Sequence, residues 1–229
     1  MVHGLSGKTK QTSNHMLAYV ITIKGHSQSE EAAARCIESA KKYNIHVDNF
    51  WAVTPTNTDL KQRLKNEGIP QKGFTEKYSR LDNCIAAFLS HYSLWQRVID
   101  INDTVLVLEH DAVFTNGFPE NIKGDITSFG SPSYGKFKQP ANGYGPLISK
   151  QYLPGAHAYS ITPTGARMLV ERAKRDAEPT DVFINNKKFP GTIQEYYPWP
   201  VEAQDYFTTI QKEAGCKAKH NYNGKYKIV

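Results

Sequence analysis

The chain has 229 residues, 28 Lys and Arg against 22 Asp and Glu, and a formal net charge of +6 with an isoelectric point near 9.0. That length suits one α/β domain with a proper core, and no Pro- or Gly/Ser-rich linker or internal repeat divides it. The charge is too mild to single out nucleic acid, although it favours anionic ligands. The longest apolar run, Leu17 to Ile23, is far too short to span a bilayer, and residues 1–15 lack the apolar segment of a secretory signal.

In chain order, residues 1–15 read as a flexible leader, 16–213 as a single domain and 214–229 as a basic tail. Leu17 to Ile23 reads as a strand buried on both faces, as central parallel strands are. The loop Lys24-Gly25-His26-Ser27 leads into a helix from about Ser29 to Tyr43, whose Ala33, Cys36, Ile37 and Ala40 recur at i, i+3, i+4 and i+7. A strand over Val47–Val53 and a short helix over Asp59–Glu67, closed by Gly68, complete a β-α-β-α opening. Leu81–Ile99 is the clearest helix, with Cys84, Ile85, Phe88, Leu89, Tyr92, Trp95 and Ile99 as its buried stripe and Ser79 with Asp82 as a capping box. Ser90 and His91 sit beside that stripe; a histidine there is either a hydrogen-bonded core residue or part of a site.

Thr104 to Leu108 is an apolar strand that ends in Glu109-His110-Asp111. Ligands collect at the carboxyl ends of strands in open α/β sheets, and acids at i and i+2 reach one divalent cation there. Oxygen donors suit Mg²⁺ or Mn²⁺, which in turn grips a diphosphate. Strand alternation turns His110 away from its two acidic neighbours. Asp125–Phe129 reads as a further strand, and Ser131–Lys150, without any period, as a lid or acceptor-binding loop. Leu153–Ile161 reads as a strand carrying His157, which faces either the core or a site. Thr162-Pro163 opens a helix, and a last helical segment is expected over Tyr206–Glu213. Three widely spaced cysteines, Cys36, Cys84 and Cys216, read as free thiols and fit a reducing cytoplasm.

Four ordered blocks carry a resemblance. Ala86 to Trp95, with its Leu89-Ser90-His91 and Leu94-Trp95, resembles the Leu-Ser-His…Leu-Trp helix of glycosyltransferase family 25. Val107–Phe114 is similar to that family's acidic metal motif, Gly155–Ala166 to its Gly-x-x-x-Tyr strand and Gly-Ala helix, and Pro179-Thr180-Asp181 to the segment that follows. The resemblance spans roughly Leu17 to Asp205. It implies a GT-A type nucleotide-sugar transferase fold with a central, mostly parallel sheet flanked by helices. It also implies a nucleoside-diphosphate sugar donor, UDP-hexose by default, a Mn²⁺ or Mg²⁺ ion and inverting hexosyl transfer to an acceptor hydroxyl. In this frame Asp111, helped by Glu109, holds the metal. Thr22, Lys24, His26, Ser90, His91, Trp95 and His157 line the donor side, and Asp205, with Asp181 in reserve, is the base.

Departures from the family pattern are local. Thr22-Ile23-Lys24-Gly25-His26 stands where the family often has Asn-Leu and then an arginine. Cys84, Ala86 and Ala87 replace Glu, Gly and Cys, and His110 replaces a frequent Asp, which lowers the local negative charge by one. The acceptor is a carbohydrate by default; a hydroxylated protein or a hydroxymethylated DNA base stays open. A different class, a non-catalytic sugar- or nucleic-acid-binding module on the same fold, is motivated by that altered loop and by a tail with Lys212, Lys217, Lys219, Lys225 and Lys227 beside Tyr222 and Tyr226.

Overall fold

The structure is a computed structural model that describes residues 16–74, 79–153, 156–204, 207–210 and 227–228. Five strands of the central sheet are β1 (Leu17–Thr22), β2 (Asp48–Trp51), β3 (Val105–Glu109), β5 (Ile126–Ser128) and β8 (Ile193–Tyr197), and these point one way. Two more, β7 (Ala158–Ile161) and β6 (Gly143–Pro146), run against them, and the spatial order is β2-β1-β3-β7-β5-β8-β6. Helices cover both faces. This is the α/β architecture expected of a GT-A type fold, with a mostly parallel sheet.

Strand β3 is the axis of the molecule. Val105, Leu106, Val107 and Leu108 are all fully buried, each contributing about 2 kcal/mol of hydrophobic stabilisation. Alternation splits them between two cores. Val105 and Val107 face α3 (Leu81–Ile101) and α4 (Pro163–Asp176), while Leu106 and Leu108 face Ala33, Cys36 and Ala40 of α1 (Ser27–Lys41). Cys36 and Cys84 are buried free thiols, and burial pushes the Cys36 thiol up to about 12, so it packs as a small apolar group.

The helix ends obey local chemistry. His26 caps α1 by accepting from the Ser29 amide, Asp59 caps α2 (Leu60–Glu67), and Gly68 ends α2 with φ 68°. Thr162 caps α4 ahead of Pro163, as expected, and its hydroxyl donates to Asp125 at 2.6 Å. The capping box expected at Ser79 and Asp82 does not form. Arg80 is the N-cap of α3 and makes no side-chain cap bond; its amide instead donates to the Ile210 carbonyl.

Two segments differ from the reading of the sequence. The stretch Ser131–Lys150 contains β6, which joins β8 through backbone bonds that its glycine-rich sequence does not advertise. Buried Glu195 then fastens the end of that stretch, accepting from the Ile148 and Ser149 amides and the Ser149 hydroxyl at 2.8, 2.9 and 2.6 Å. Phe207–Thr208, expected in a helix, is the short strand β10, whose backbone pairs with β11 (Lys227–Ile228). A second small pair, β4 (Ala112–Phe114) with β9 (Val201–Ala203), rises beyond the end of β3. The short helix α5 (Thr180–Phe183) follows α4. Among the described residues no helix is long and apolar enough to cross a membrane.

Gly165 sits in the first turn of α4, where a Cβ would lie 2.4 Å from the Asp125 carbonyl oxygen. Backbone cannot yield cheaply there. Gly165→Ala is therefore expected to destabilise the fold by about 1–3 kcal/mol, read as a lower urea midpoint with unchanged slope.

Candidate active site

A cavity of about 690 Å³ opens at the carboxyl ends of β1, β2 and β3. Its floor is the amino-terminal half of α3, with Asn83, Cys84, Ala86, Ala87, Ser90 and His91. Ile23 and His26 enter from the loop after β1, Ala52–Thr56 from the loop after β2, and Glu109, His110 and Asp111 from the end of β3. Ser133, Tyr134, Tyr152, His157, Pro179–Val182 and Phe207–Ile210 complete the lining.

All three residues of the Glu109-His110-Asp111 run reach the cavity, which corrects the expectation for His110. Pleat alternation holds only while the chain is a strand; β3 stops at Glu109 and residues 110–111 form a turn. The Ser29 hydroxyl contacts His110 Nδ1 at 2.8 Å while accepting from the Ile23 amide at 2.9 Å. Phe207 packs against both the His26 and His110 rings.

His91 and Glu109 are joined by a 3.0 Å contact between Nε2 and Oε1. The imidazole is buried, a third of the Glu109 side-chain surface is exposed, and Glu109 lines the cavity. Burial disfavours ionisation of Glu109. The hydrogen bond from His91 and the electrostatic influence of His91, His157 and His110 outweigh it, so the carboxyl titrates below its usual range. Asp181 behaves in the opposite sense. Burial and the negative charge of Glu109 push its carboxyl above the usual range, although the Tyr134 hydroxyl donates to it at 2.7 Å and the Val182 amide at 3.0 Å. One cavity thus holds one carboxyl kept ionised and another made basic.

The other expected residues divide. His26, Ser90 and His157 line the cavity. The Ser90 hydroxyl is already engaged, accepting from the Val53 amide and donating to the Ala86 carbonyl, so it clamps the loop after β2 to α3. The His157 ring lies so close to Gly130 that a Cβ there would sit 2.3 Å from its Nε2. Thr22, Lys24 and Trp95 stand outside the cavity, for three different reasons. Thr22 faces Asn49 across β1 and β2, Lys24 extends over the Trp51 ring at 5.6 Å, and Trp95 is fully buried in the core, donating to Tyr159 at 2.8 Å. Asp205 and most of the basic tail lie outside the described residues.

Sequence reading missed Tyr134, Tyr152 and Asn83. Tyr134 lies in the aperiodic stretch already marked as functional, but nothing local indicated that its hydroxyl meets an acid 47 residues away.

The chain matches the family model described as glycosyltransferase family 25 (LPS biosynthesis protein) over residues 15–131, just over half of its length. The protein belongs to glycosyltransferase family 25. The matched residues of this family 25 chain include His26, Ser90, His91, Glu109 and Asp111, whereas Asp181 lies beyond them. No curated protein sequence matches the chain. Among solved structures, a putative glucose-1-phosphate thymidylyltransferase from Bacillus anthracis in complex with a sucrose is similar at 11% identity and a TM-score of 0.42, over 82% of this chain and 87% of that one. A CTP:phosphocholine cytidylyltransferase from Streptococcus pneumoniae is similar at 10% identity and a TM-score of 0.38, over 83% and 93%.

Asp181 supplies a test in which stability and activity move apart. Its folded-state pKa is raised, so its stabilising contribution is full below the unfolded carboxyl value and is lost as pH rises through the folded value. At neutral pH the ionised group costs stability. Asp181→Asn is expected to melt at the same temperature as the wild type or higher at about pH 7.5, with this advantage vanishing near about pH 4. A lower melting temperature at neutral pH would contradict the elevated pKa.

Proposed function

We propose that this family 25 protein transfers a hexose from a nucleoside-diphosphate sugar, UDP-hexose by default, to an acceptor hydroxyl with inversion and with a divalent cation. The observation that carries the reading is the division of carboxylates in one cavity: Glu109 and Asp111 at the end of β3, and Asp181 of α5 with the ionisation tendency opposite to that of Glu109. Acids whose environments drive their pKa values apart suit distinct acid–base roles.

The donor set fits a cation shared with substrate. Among the described residues no group of three or more His, Cys, Asp or Glu is arranged to hold a metal ion alone. Two carboxylates are what Mg²⁺ or Mn²⁺ commonly takes from protein when phosphate oxygens and water complete its shell. A cation held by Asp111 and Glu109 would supply Lewis-acid stabilisation of the departing diphosphate. His26, in the loop where the family often has arginine, and His110, in the turn after β3 beside Ser29 of α1, line the cavity and would receive phosphate oxygens.

Asp181 is the leading base, since it lines the cavity and since burial and the Glu109 charge raise its proton affinity. It takes the proton of the acceptor hydroxyl as that oxygen bonds to the anomeric carbon and the bond to the diphosphate breaks. Tyr134, donating to Asp181 from the stretch after β5, orients the carboxylate. The acceptor is a carbohydrate, the class that the family's link to lipopolysaccharide synthesis favours.

The test is donor hydrolysis followed by transfer, measured by mass spectrometry across common nucleotide sugars with Mn²⁺ or Mg²⁺. Asp111→Ala is expected to abolish metal-dependent turnover while the melting temperature changes little. Asp181→Asn should leave nucleotide binding intact and lower transfer by about 10²- to 10⁴-fold. Full activity of Asp111→Ala in chelator would remove the metal from the reading, and near-normal transfer by Asp181→Asn would return the base to Asp205.

A further inference from the structure

Behind Glu109 runs a buried chain of hydrogen bonds that the transfer step does not use directly. Trp95 Nε1 lies 2.8 Å from the Tyr159 hydroxyl, that hydroxyl lies 2.8 Å from His91 Nδ1, and His91 Nε2 lies 3.0 Å from Glu109 Oε1. Trp95 and Tyr159 have no exposed surface and His91 is 1% exposed, so water does not enter the chain. The His91 and Tyr159 rings also stack, with centroids 5.8 Å apart.

The chemistry of its first member orders the chain. An indole N–H only donates, so Tyr159 Oη accepts from Trp95. The Tyr159 proton then needs an acceptor, and among the described residues His91 Nδ1 is the one within reach. An imidazole that accepts at Nδ1 carries its proton at Nε2, where it meets the Glu109 carboxylate. The other tautomer fails twice. It would present two donors to Tyr159 Oη while stranding the tyrosine's own proton, and it would turn a nitrogen lone pair toward a carboxylate. A second proton on the ring would strand the Tyr159 O–H in the same way. Buried polar groups left unpaired are costly, so one arrangement dominates.

We infer that Tyr159 is a positioning residue for Glu109: its hydroxyl locks His91 as the Nε2–H tautomer, and His91 in turn holds the Glu109 carboxylate in the orientation in which it receives a divalent cation. The inference rests on the proposed role of Glu109, but its first half concerns the imidazole alone. The packing explains why an aromatic hydroxyl is required. Tyr159 lies on β7 beside β3, paired with Val107 two residues before Glu109, and its ring spans from the sheet to α3. A shorter hydroxyl side chain would not reach His91.

The experiment uses the full chain and two readouts. Long-range ¹H–¹⁵N spectra of the metal-free protein report the His91 tautomer. Titration of Mn²⁺ in the presence of UDP, followed by electron paramagnetic resonance, reports cation affinity. Wild type is expected to show Nε2–H, and Tyr159→Phe, which removes one oxygen, a mixture of tautomers with Mn²⁺ affinity lower by about 10-fold, the scale of losses seen when a group orienting a metal ligand is removed. Wild-type His91 as the Nδ1–H tautomer would overturn the inference, with or without a folded variant. So would Tyr159→Phe that keeps both the Nε2–H tautomer and wild-type Mn²⁺ affinity. If wild type shows Nε2–H but binds no Mn²⁺ with UDP, the lock stands as a structural device, the cation-orienting role is overturned, and the metal in the proposed function fails with it.

Discussion

A strand buried on both faces has to end somewhere, and where β3 ends decides the chemistry. Four consecutive fully buried residues leave no polar group to spare inside the sheet. The first carboxylate therefore appears at Glu109, where the strand meets the cavity. The chain then leaves the central sheet through His110 and Asp111 and pairs again only as β4 with β9. That departure places three consecutive side chains around one opening, which a continuing strand would not do. The α3 helix packs across the same end of the sheet and brings Ser90 and His91 to the floor.

Holding an acid at such a boundary needs compensation for lost hydration. The molecule supplies it from behind, through His91 and Tyr159, and by the potential of neighbouring imidazoles. Elsewhere in the cavity lining the same physics gives the opposite result. Asp181 is buried and feels the Glu109 charge, which together outweigh its hydrogen bonds from Tyr134 and Val182, so it resists ionisation. The contrast between the two acids comes from their partners alone, since both are carboxyls lining one cavity. It is the feature that most separates this pocket from an ordinary cleft.

The segment after β5 combines two duties. Its later half is fastened by β6 and by the three bonds to buried Glu195, and it behaves as part of the sheet edge. Its earlier half carries Ser133 and Tyr134 to the cavity. Anchoring one half gives the other a defined place from which to reach Asp181, which a wholly loose lid would lack.

Much of this was legible in the residues themselves. The apolar run of β1, the periodic stripes of α1 and α3, the Thr162-Pro163 helix start and the acids closing β3 all announce themselves through local pattern, because burial on a regular element imposes a regular spacing. The family resemblance was equally local, resting on blocks such as Leu89-Ser90-His91 and Glu109-His110-Asp111. What stayed hidden depends on partners distant in the chain. A glycine-rich β6 exists because β8 offers its backbone, and the turn at His110 escapes alternation because β9 captures the chain beyond it. Trp95 belongs to the core because Tyr159, 64 residues later, accepts a hydrogen bond from its indole N–H. Thr22 serves the sheet because Asn49 lies opposite. Sequence determined which elements form and which acids end a strand; only tertiary structure decided that Glu109 is held ionised while Asp181 of α5 is made basic, because a carboxyl's proton affinity is set by the neighbours that folding brings to it.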